Sequence, residues 1–301
     1  MFEYYNYLIS QKQLFIELAQ MPSFYKIYNL LKFYLKYSKS KTNVIHSQYG
    51  SFCGFFASFL PGKKIITLRG SDIIRIREGN LFEKIHSRLA VLMTNLSLKR
   101  YEKILVMSND MVKYIHADYV HKVIVHTDPL DFNKFLPLDK LRCRKKHFTS
   151  YSENDFKLVL FTSINRNNPI KRYYLAEDAV KFANNYIGYE AFKLVTAHEI
   201  NHSEMCEIYN SVDMVILTST HEGWPNCIKE ALACNVPFVS TNVSDLLFLD
   251  LPNCYVTNDS AKELAQSLLN INTNCNHDLR SKISYLDFAN SKNELIELYK
   301  N

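Results

Sequence analysis

From residue 43 onward the chain repeats one pattern. A short apolar run, bounded by polar or turn-forming residues, is followed by a longer stretch in which apolar positions recur every three or four residues. The apolar runs are NVIH (43–46), KIITL (64–68), ILVM (104–107) and VIVHT (123–127). A second series holds KLVLFTS (157–163), FKLVTA (192–197), VDMVILTS (212–219) and VPFVST (236–241). Runs this short and this continuously apolar predict strands buried on both faces, and the patterns at 81–101, 172–186, 203–210 and 226–234 predict helices. Alternation of the two predicts an α/β fold whose parallel sheets are covered by helices on both sides. The region 128–155 interrupts the pattern with two prolines, a basic cluster and a polar run, and is expected to connect two domains. The expected division is 1–150, then 151–282, then a closing helix over 283–301.

A length of 301 residues at 47% hydrophobic composition suits two domains. The formal net charge of +6 with 13% aromatic residues suits an anionic partner, and suits a mildly basic soluble protein equally well. Cysteines 53, 143, 206, 227, 234, 254 and 275 form no C-x-x-C pair and no zinc-like cluster with histidine. Reduced thiols in a cytoplasmic protein are expected. No signal-peptide pattern and no run of eighteen apolar residues is present. Ahead of the first strand, residues 22–41 read as a helix with Pro22 at its first position. Phe24, Ile27, Leu31, Tyr34 and Leu35 lie near one face, with Lys26, Lys32, Lys36, Lys39 and Lys41 around and after it. Such a helix fits an anionic membrane surface, and it fits an ordinary domain helix with snorkelling lysines.

The stretch STHEGWPNCIKEALACNVPFVST (219–241) carries the chemistry. Glu222 and Glu230 are separated by seven residues, with a glycine, a tryptophan and a proline where a strand would give way to a helix. Pro225 and Asn226 then fall at the helix start, where unsatisfied N–H groups and the positive end of the dipole favour a phosphate. Gly223 permits close backbone approach to a ligand. Two carboxylates beside a phosphate make sense if they accept protons from hydroxyl groups. A diphosphate flanked by a sugar and a ribose has that shape. A capped helix with two solvated glutamates is the alternative that spacing leaves open.

The same stretch resembles the E-x7-E signature of retaining glycosyltransferases of family four, which have the GT-B fold: two Rossmann-like domains with parallel sheets facing a central cleft. E-G-aromatic-P-N, E-A-small-A-C and P-x-V-x-T follow in order. The resemblance implies that Glu222 contacts the transferred sugar, that Glu230 holds the ribose, and that Gly223, Trp224, Asn226 and Cys227 make backbone contacts to the donor. SINRNNPIKRYYLAEDAV (163–180) is similar to the family's segment with a diphosphate-binding basic pair, which maps to Lys171 and Arg166. Arg172 stands where the family usually has glycine. EMCEIYNSVDMVILTS (204–219), TDPLDFNKFLP (127–137) and NDSAKELAQSLLNI (258–271) resemble neighbouring family segments. HSQYGSFCGFFASFL (46–60) and ITLRGSDI (66–73) resemble strand-loop motifs lining the acceptor side of the cleft. They map His46, Gly50, Arg69, Gly70 and Asp72 there. Read singly, His46 is a satisfied strand-end histidine and Asp72 a helix cap.

Two departures stand out. Arg69 occupies the place of a family histidine that touches the donor sugar. The chain also has no glycine before Gly50, where the family carries a glycine-rich loop, which implies a shortened amino-terminal domain, a truncated reading frame, or an edge covered by a companion protein. The resemblance implies a hexosyltransferase that moves sugar from a nucleoside-diphosphate sugar to a saccharide or lipid-linked acceptor with retention, in cell-surface polysaccharide synthesis. No cofactor, no metal ion (no D-x-D occurs) and no nucleic acid is expected, and the protein is placed in the cytoplasm, at the inner face of the membrane. The alternatives are a donor-binding subunit of little activity that needs a partner, and a GT-B nucleotide-sugar epimerase.

Overall fold

The computed structural model describes Tyr28, Lys32, Leu35 and residues 44–76, 79–151, 156–163, 165–197, 200–275 and 277–300, without the side chain of residue 292. Apart from those first three residues, which are helical, the predicted helix over 22–41 lies outside the described set. Two compact units are present. The first holds residues up to Pro129 together with Glu222–Trp224 and Glu294–Asn301, and the second holds Leu130–His221 and Pro225–Asn293.

The first unit is built on strands β1 (Val44–Ser47), β2 (Lys63–Leu68), β3 (Lys103–Val106) and β4 (Val123–Val125), all parallel and in the order β1-β2-β3-β4. Ile65, Ile66, Leu68, Ile104, Leu105 and Val106 are wholly buried, as strands covered on both faces require. Helix α1 (Ser51–Ala57) follows β1, and α2 (Leu81–Leu98) follows β2. A capping box starts α2: the Glu83 amide donates to Asn80 Oδ1 at 2.9 Å, and the Asn80 amide donates to Glu83 Oε2 at 2.9 Å.

In the second unit α3 (Lys140–His147) precedes five parallel strands: β5 (Lys157–Phe161), β6 (Phe192–Thr196), β7 (Met214–Leu217), β8 (Phe238–Thr241) and β9 (Tyr255–Thr257). Their order is β6-β5-β7-β8-β9. Between the strands lie α4 (Tyr173–Ile187), α5 (Met205–Ser211) and α6 (Asn226–Ala233), followed by α7 (Ala261–Asn270), α8 (Leu279–Lys282) and α9 (Phe288–Lys300), which from Glu294 onward groups with the first unit. The core joins Val159, Phe161, Ile216 and Val239 to Leu175, Ala176 and Ala179 of α4 and to Leu264 and Leu268 of α7. Burying each large aliphatic side chain of this set contributes about 2 kcal/mol. The chain leaves β5 for one neighbour and then returns to the other side of it at β7. The crevice at the carboxyl ends of β5 and β7 is therefore the switch point at which doubly wound sheets bind ligands.

All eight predicted strands are present within two residues of the expected ends. The region 128–155 is not a bare connection. Its basic cluster forms α3 and belongs to the second unit: Arg144 is buried, donating Nε to the Ser211 carbonyl at 2.8 Å and pairing with Asp213 at 2.7 Å. Lys140 also pairs with Asp213, and Lys146 and His147 pair with Glu207. The two compact units divide at Pro129, and the short 3-10 turn Ser284–Leu286 precedes α9.

Candidate functional site

In the first unit one buried carboxylate organises the loops at the ends of β1 and β2. Asp72 accepts from the Gly50 amide at 2.8 Å, the Arg69 amide at 2.9 Å and the Gly70 amide at 3.0 Å. Thr94 of α2 donates its hydroxyl to the Asp72 carbonyl at 2.7 Å and accepts from the Ser51 amide at 2.6 Å. Burial raises the Asp72 carboxyl above its usual range, and the three backbone donors work against that rise. Asp72 is therefore a tie between two loops and not a helix cap. Gly50 is required by packing: a Cβ there would lie 2.5 Å from Thr94 Oγ1. Four of the five residues mapped to the acceptor side are drawn together by this one side chain.

Arg69 is held by protein groups. Its guanidinium pairs with Asp128, and it donates Nε to the Gln48 carbonyl at 2.8 Å and Nη2 to Gln48 Oε1 at 3.1 Å. Gly223, which groups with this unit, runs so close to Arg69 that a Cβ on it would meet the Arg69 carbonyl oxygen at 2.5 Å. Glycine at 223 thus answers to close backbone approach, and Trp224 beside it is buried.

His46 lies on β1 with Nδ1 2.6 Å from the Tyr299 hydroxyl and Nε2 2.7 Å from the Thr67 hydroxyl. The ring is densely surrounded, although part of its surface still reaches solvent. Burial first, then the Arg69 charge, lower its pKa from 6.5 to about 3, with Asp128 opposing. The folded state therefore keeps it neutral while an unfolded chain protonates it below pH 6.5. Its contribution to stability is complete above pH 6.5 and is lost as the pH falls toward 3, at up to about 1.4 kcal/mol per pH unit. Replacing it, as in His46→Gln, is expected to flatten the fall of the melting temperature on acidification below pH 6.5, measured by thermal denaturation across pH. An unchanged profile would assign that fall to other groups.

In the second unit the loop after β5 meets the loop after β7. The Thr220 amide donates to the Ile170 carbonyl at 2.9 Å, and the Thr218 hydroxyl donates to the Lys171 carbonyl at 2.7 Å. Arg172 fastens the same junction. It is buried and left-handed at φ 50°, which explains why glycine would be usual there. Its Nε donates to the Thr218 carbonyl at 2.7 Å, one Nη to the Ser219 carbonyl at 3.1 Å, and two bonds of 2.8 Å reach the Asp259 carboxylate. The Arg172 guanidinium holds the Asp259 carboxyl below its usual range. Lys171 is thereby set, half-buried, at the crevice between β5 and β7, while Arg166 is exposed, bonded to the Thr196 hydroxyl at 2.8 Å and 5.1 Å over the Tyr173 ring.

Helix α6 starts where predicted. Pro225 is its N-cap and supplies no side-chain cap, Asn226 is exposed and Cys227 half-buried. Glu230, one turn further, is buried: its Oε2 accepts from the Tyr209 hydroxyl at 2.7 Å, and its Oε1 lies 3.6 Å from His202 Nε2. The carboxylate raises the His202 pKa, and Phe135 packs edge-on against both His202 and Tyr209. Tyr209, His202, Asp128 and Asp259 were not identified from the sequence. Tyr209 sits in the stretch 204–219 and Asp128 in 127–137, but nothing in their spacing marks a partner twenty or more residues away.

Residues 153–274, which include Arg166, Lys171 and the whole span from Glu222 to Glu230, match the family model described as Glycosyl transferases group 1. Comparison with curated proteins found no match. Among solved structures, sucrose-phosphate synthase from Thermosynechococcus elongatus aligns with a TM-score of 0.71 at 13% identity, over 96% of this chain and 81% of that one. HepE of Anabaena in complex with UDP-glucose gives 0.67 at 16%, over 98% and 88%. The lipopolysaccharide outer core galactosyltransferase WaaB gives 0.61 at 11%, over 91% and 80%. At these identities the likeness is one of fold. The chain thus has an α/β fold with two sheets of parallel strands, matching structures of the GT-B type, and its residues 153–274 are similar to the Glycosyl transferases group 1 family.

Proposed function

We propose that the protein is a retaining, metal-independent glycosyltransferase that moves a sugar from a nucleoside-diphosphate sugar to a saccharide or lipid-linked acceptor. The observation that carries this reading is the meeting of the Lys171 loop with the loop after β7 at the switch point of a parallel sheet, in the unit that also holds α6 and its buried Glu230 carboxylate. A structural neighbour of the same fold that holds UDP-glucose supports it.

In this reading the bond from the anomeric carbon to the diphosphate breaks and a bond to the acceptor oxygen forms on the same face. The acceptor's proton leaves with the diphosphate. Lys171, assisted by Arg166, and the amides of Gly223 through Cys227 stabilise the negative charge that grows on the leaving diphosphate. Glu222 orients the sugar and Glu230 accepts from the ribose hydroxyls. His46, Gly50, Arg69, Gly70 and Asp72 shape the acceptor side, with Asp72 as a positioning residue. The setting proposed is cell-surface polysaccharide synthesis at the cytoplasmic face of a membrane.

A thermal-shift screen across UDP, GDP and ADP sugars is expected to raise the melting temperature with at least one donor, by mass action on the native state. Release of nucleoside diphosphate should then require an acceptor, which an epimerase would not need. No response to any donor would overturn the reading. The engagement of Arg69 with Asp128 and Gln48, where the family has a histidine, favours a second reading: a donor-binding subunit that needs a companion. Its signature is donor binding without turnover until the companion is added.

A further inference from the structure

Helix α2 is amphipathic in an inverted sense. Its buried face carries Ser87, Ala90, Val91, Thr94, Ser97 and Leu98, most of them small. The opposite face carries Leu81, Phe82, Ile85, Leu89, Leu92 and Leu96, each between 43% and 77% exposed. At about 100° per residue these six fall within a sector of roughly 100° and run the length of a helix about 27 Å long. Phe56 of the adjoining helix α1 and Phe59 in the turn that follows it are also exposed, with Arg100 lying 4.3 Å over the Phe59 ring. A contiguous apolar face of this extent on a soluble domain marks an interaction surface.

The charges around it select the partner. Lys84, Arg88, Lys99 and Arg100 flank the stripe or close its carboxyl end, against Glu83 and Glu102. Of these two acids, Glu83 is committed to the Asn80 amide and Glu102 accepts from the Lys64 amide at 3.3 Å. A second copy of the chain would set one basic rim against another. The chain's own 22–41 stretch, with Lys26, Lys32, Lys36, Lys39 and Lys41, would meet the same repulsion. An anionic lipid surface satisfies both features, taking the leucine and phenylalanine side chains into its acyl boundary and the lysines and arginines among its phosphates. Among the described residues no helix is long and apolar enough to cross a membrane, so contact through α2 would be lateral.

We propose that the outer face of α2, with the exposed Phe56 and Phe59 beside it, is a docking surface for an anionic bilayer. The surface deepens the membrane setting proposed above by naming where the chain meets the bilayer, and it does not depend on sugar transfer. The test is co-sedimentation of the full chain with vesicles of phosphatidylglycerol and phosphatidylcholine, against phosphatidylcholine alone, at low and high salt. The wild type should prefer the anionic vesicles and lose affinity as salt is raised. Leu89→Glu with Leu92→Glu changes only exposed positions and should lower the anionic-vesicle partition coefficient at least tenfold with the circular dichroism spectrum unchanged. Lys84→Glu with Arg88→Glu, which leaves the apolar stripe intact, should abolish the preference for anionic lipid. Absence of binding to anionic vesicles, or binding by both variants equal to wild type, overturns the proposal. So does a wild-type dimer that the Leu89/Leu92 variant converts to a monomer, or tighter binding to polyglutamate than to vesicles, which would assign the face to a second copy or an acidic protein. Transfer to a soluble acceptor is assayed separately, so neither result decides the other.

Discussion

Glu230→Ala is expected to weaken nucleotide-sugar binding by about 2 kcal/mol, roughly thirtyfold in dissociation constant, because in the role proposed for it the carboxylate accepts from two ribose hydroxyl groups at once. The structure makes this substitution ambiguous by itself. Glu230 is buried and accepts from the Tyr209 hydroxyl at 2.7 Å, so alanine also leaves a buried phenol without its acceptor. Two further variants separate the causes. Glu230→Gln keeps an oxygen for Tyr209 and loses the charge, so donor affinity should fall about tenfold with the melting temperature little changed. Tyr209→Phe removes the support and keeps the carboxylate, so stability should drop more than affinity. Isothermal titration with the donor found in the screen, paired with thermal denaturation, reads both quantities. Equal donor affinity in wild type and Glu230→Gln would remove Glu230 from the ribose role.

Arg172→Gly tests which of two opposed effects is larger. Glycine relieves the left-handed backbone at φ 50°, a gain of about 1 kcal/mol. The same change removes a buried guanidinium that donates to the Thr218 and Ser219 carbonyls and to Asp259. The Asp259 part is discounted because that carboxylate is 60% exposed and screened by water. Charge-assisted bonds to two carbonyls are still worth about 3 kcal/mol together. The net expectation is a loss of roughly 2 kcal/mol and a melting midpoint lower by about 4 to 8 °C. Donor affinity should fall as well, because Lys171 and the loop after β7 lose their common anchor. A glycine variant as stable as wild type would show that the backbone strain equals the whole value of the clamp.

The strands were legible because a parallel sheet buried on both faces needs continuous apolar runs, and each run is short enough to be bounded by its own turn residues. Helix α6 was legible for a similar reason, since Pro225 and the alternation that follows it admit little else. The elements that escaped have weak signals. Strand β9 is three half-buried residues, and α1 carries a glycine and no clear apolar stripe. Helix α3 was hidden by its own basic residues, which resemble a solvated linker until Asp213 and Glu207 appear beside them. Composition cannot distinguish a charge in water from a charge with a partner seventy residues away.

The sequence by itself determined the alternation of strand and helix, the place where α6 begins, and the two acids that flank it, because these follow from local periodicity and local backbone chemistry. Only the tertiary structure decided what each polar residue holds. It made Asp72 a tie for three amides, set Arg69 against Asp128, placed Arg172 as a clamp in a backbone conformation that favours glycine, and seated Glu230 on Tyr209. It also turned the apolar face of α2 outward, which no helical period can reveal, since the period shows that a face exists and not which way it points. The physical reason is common to all of these. Hydrogen bonds, ion pairs and burial join residues distant along the chain, and their partners are fixed only when the sheets are assembled.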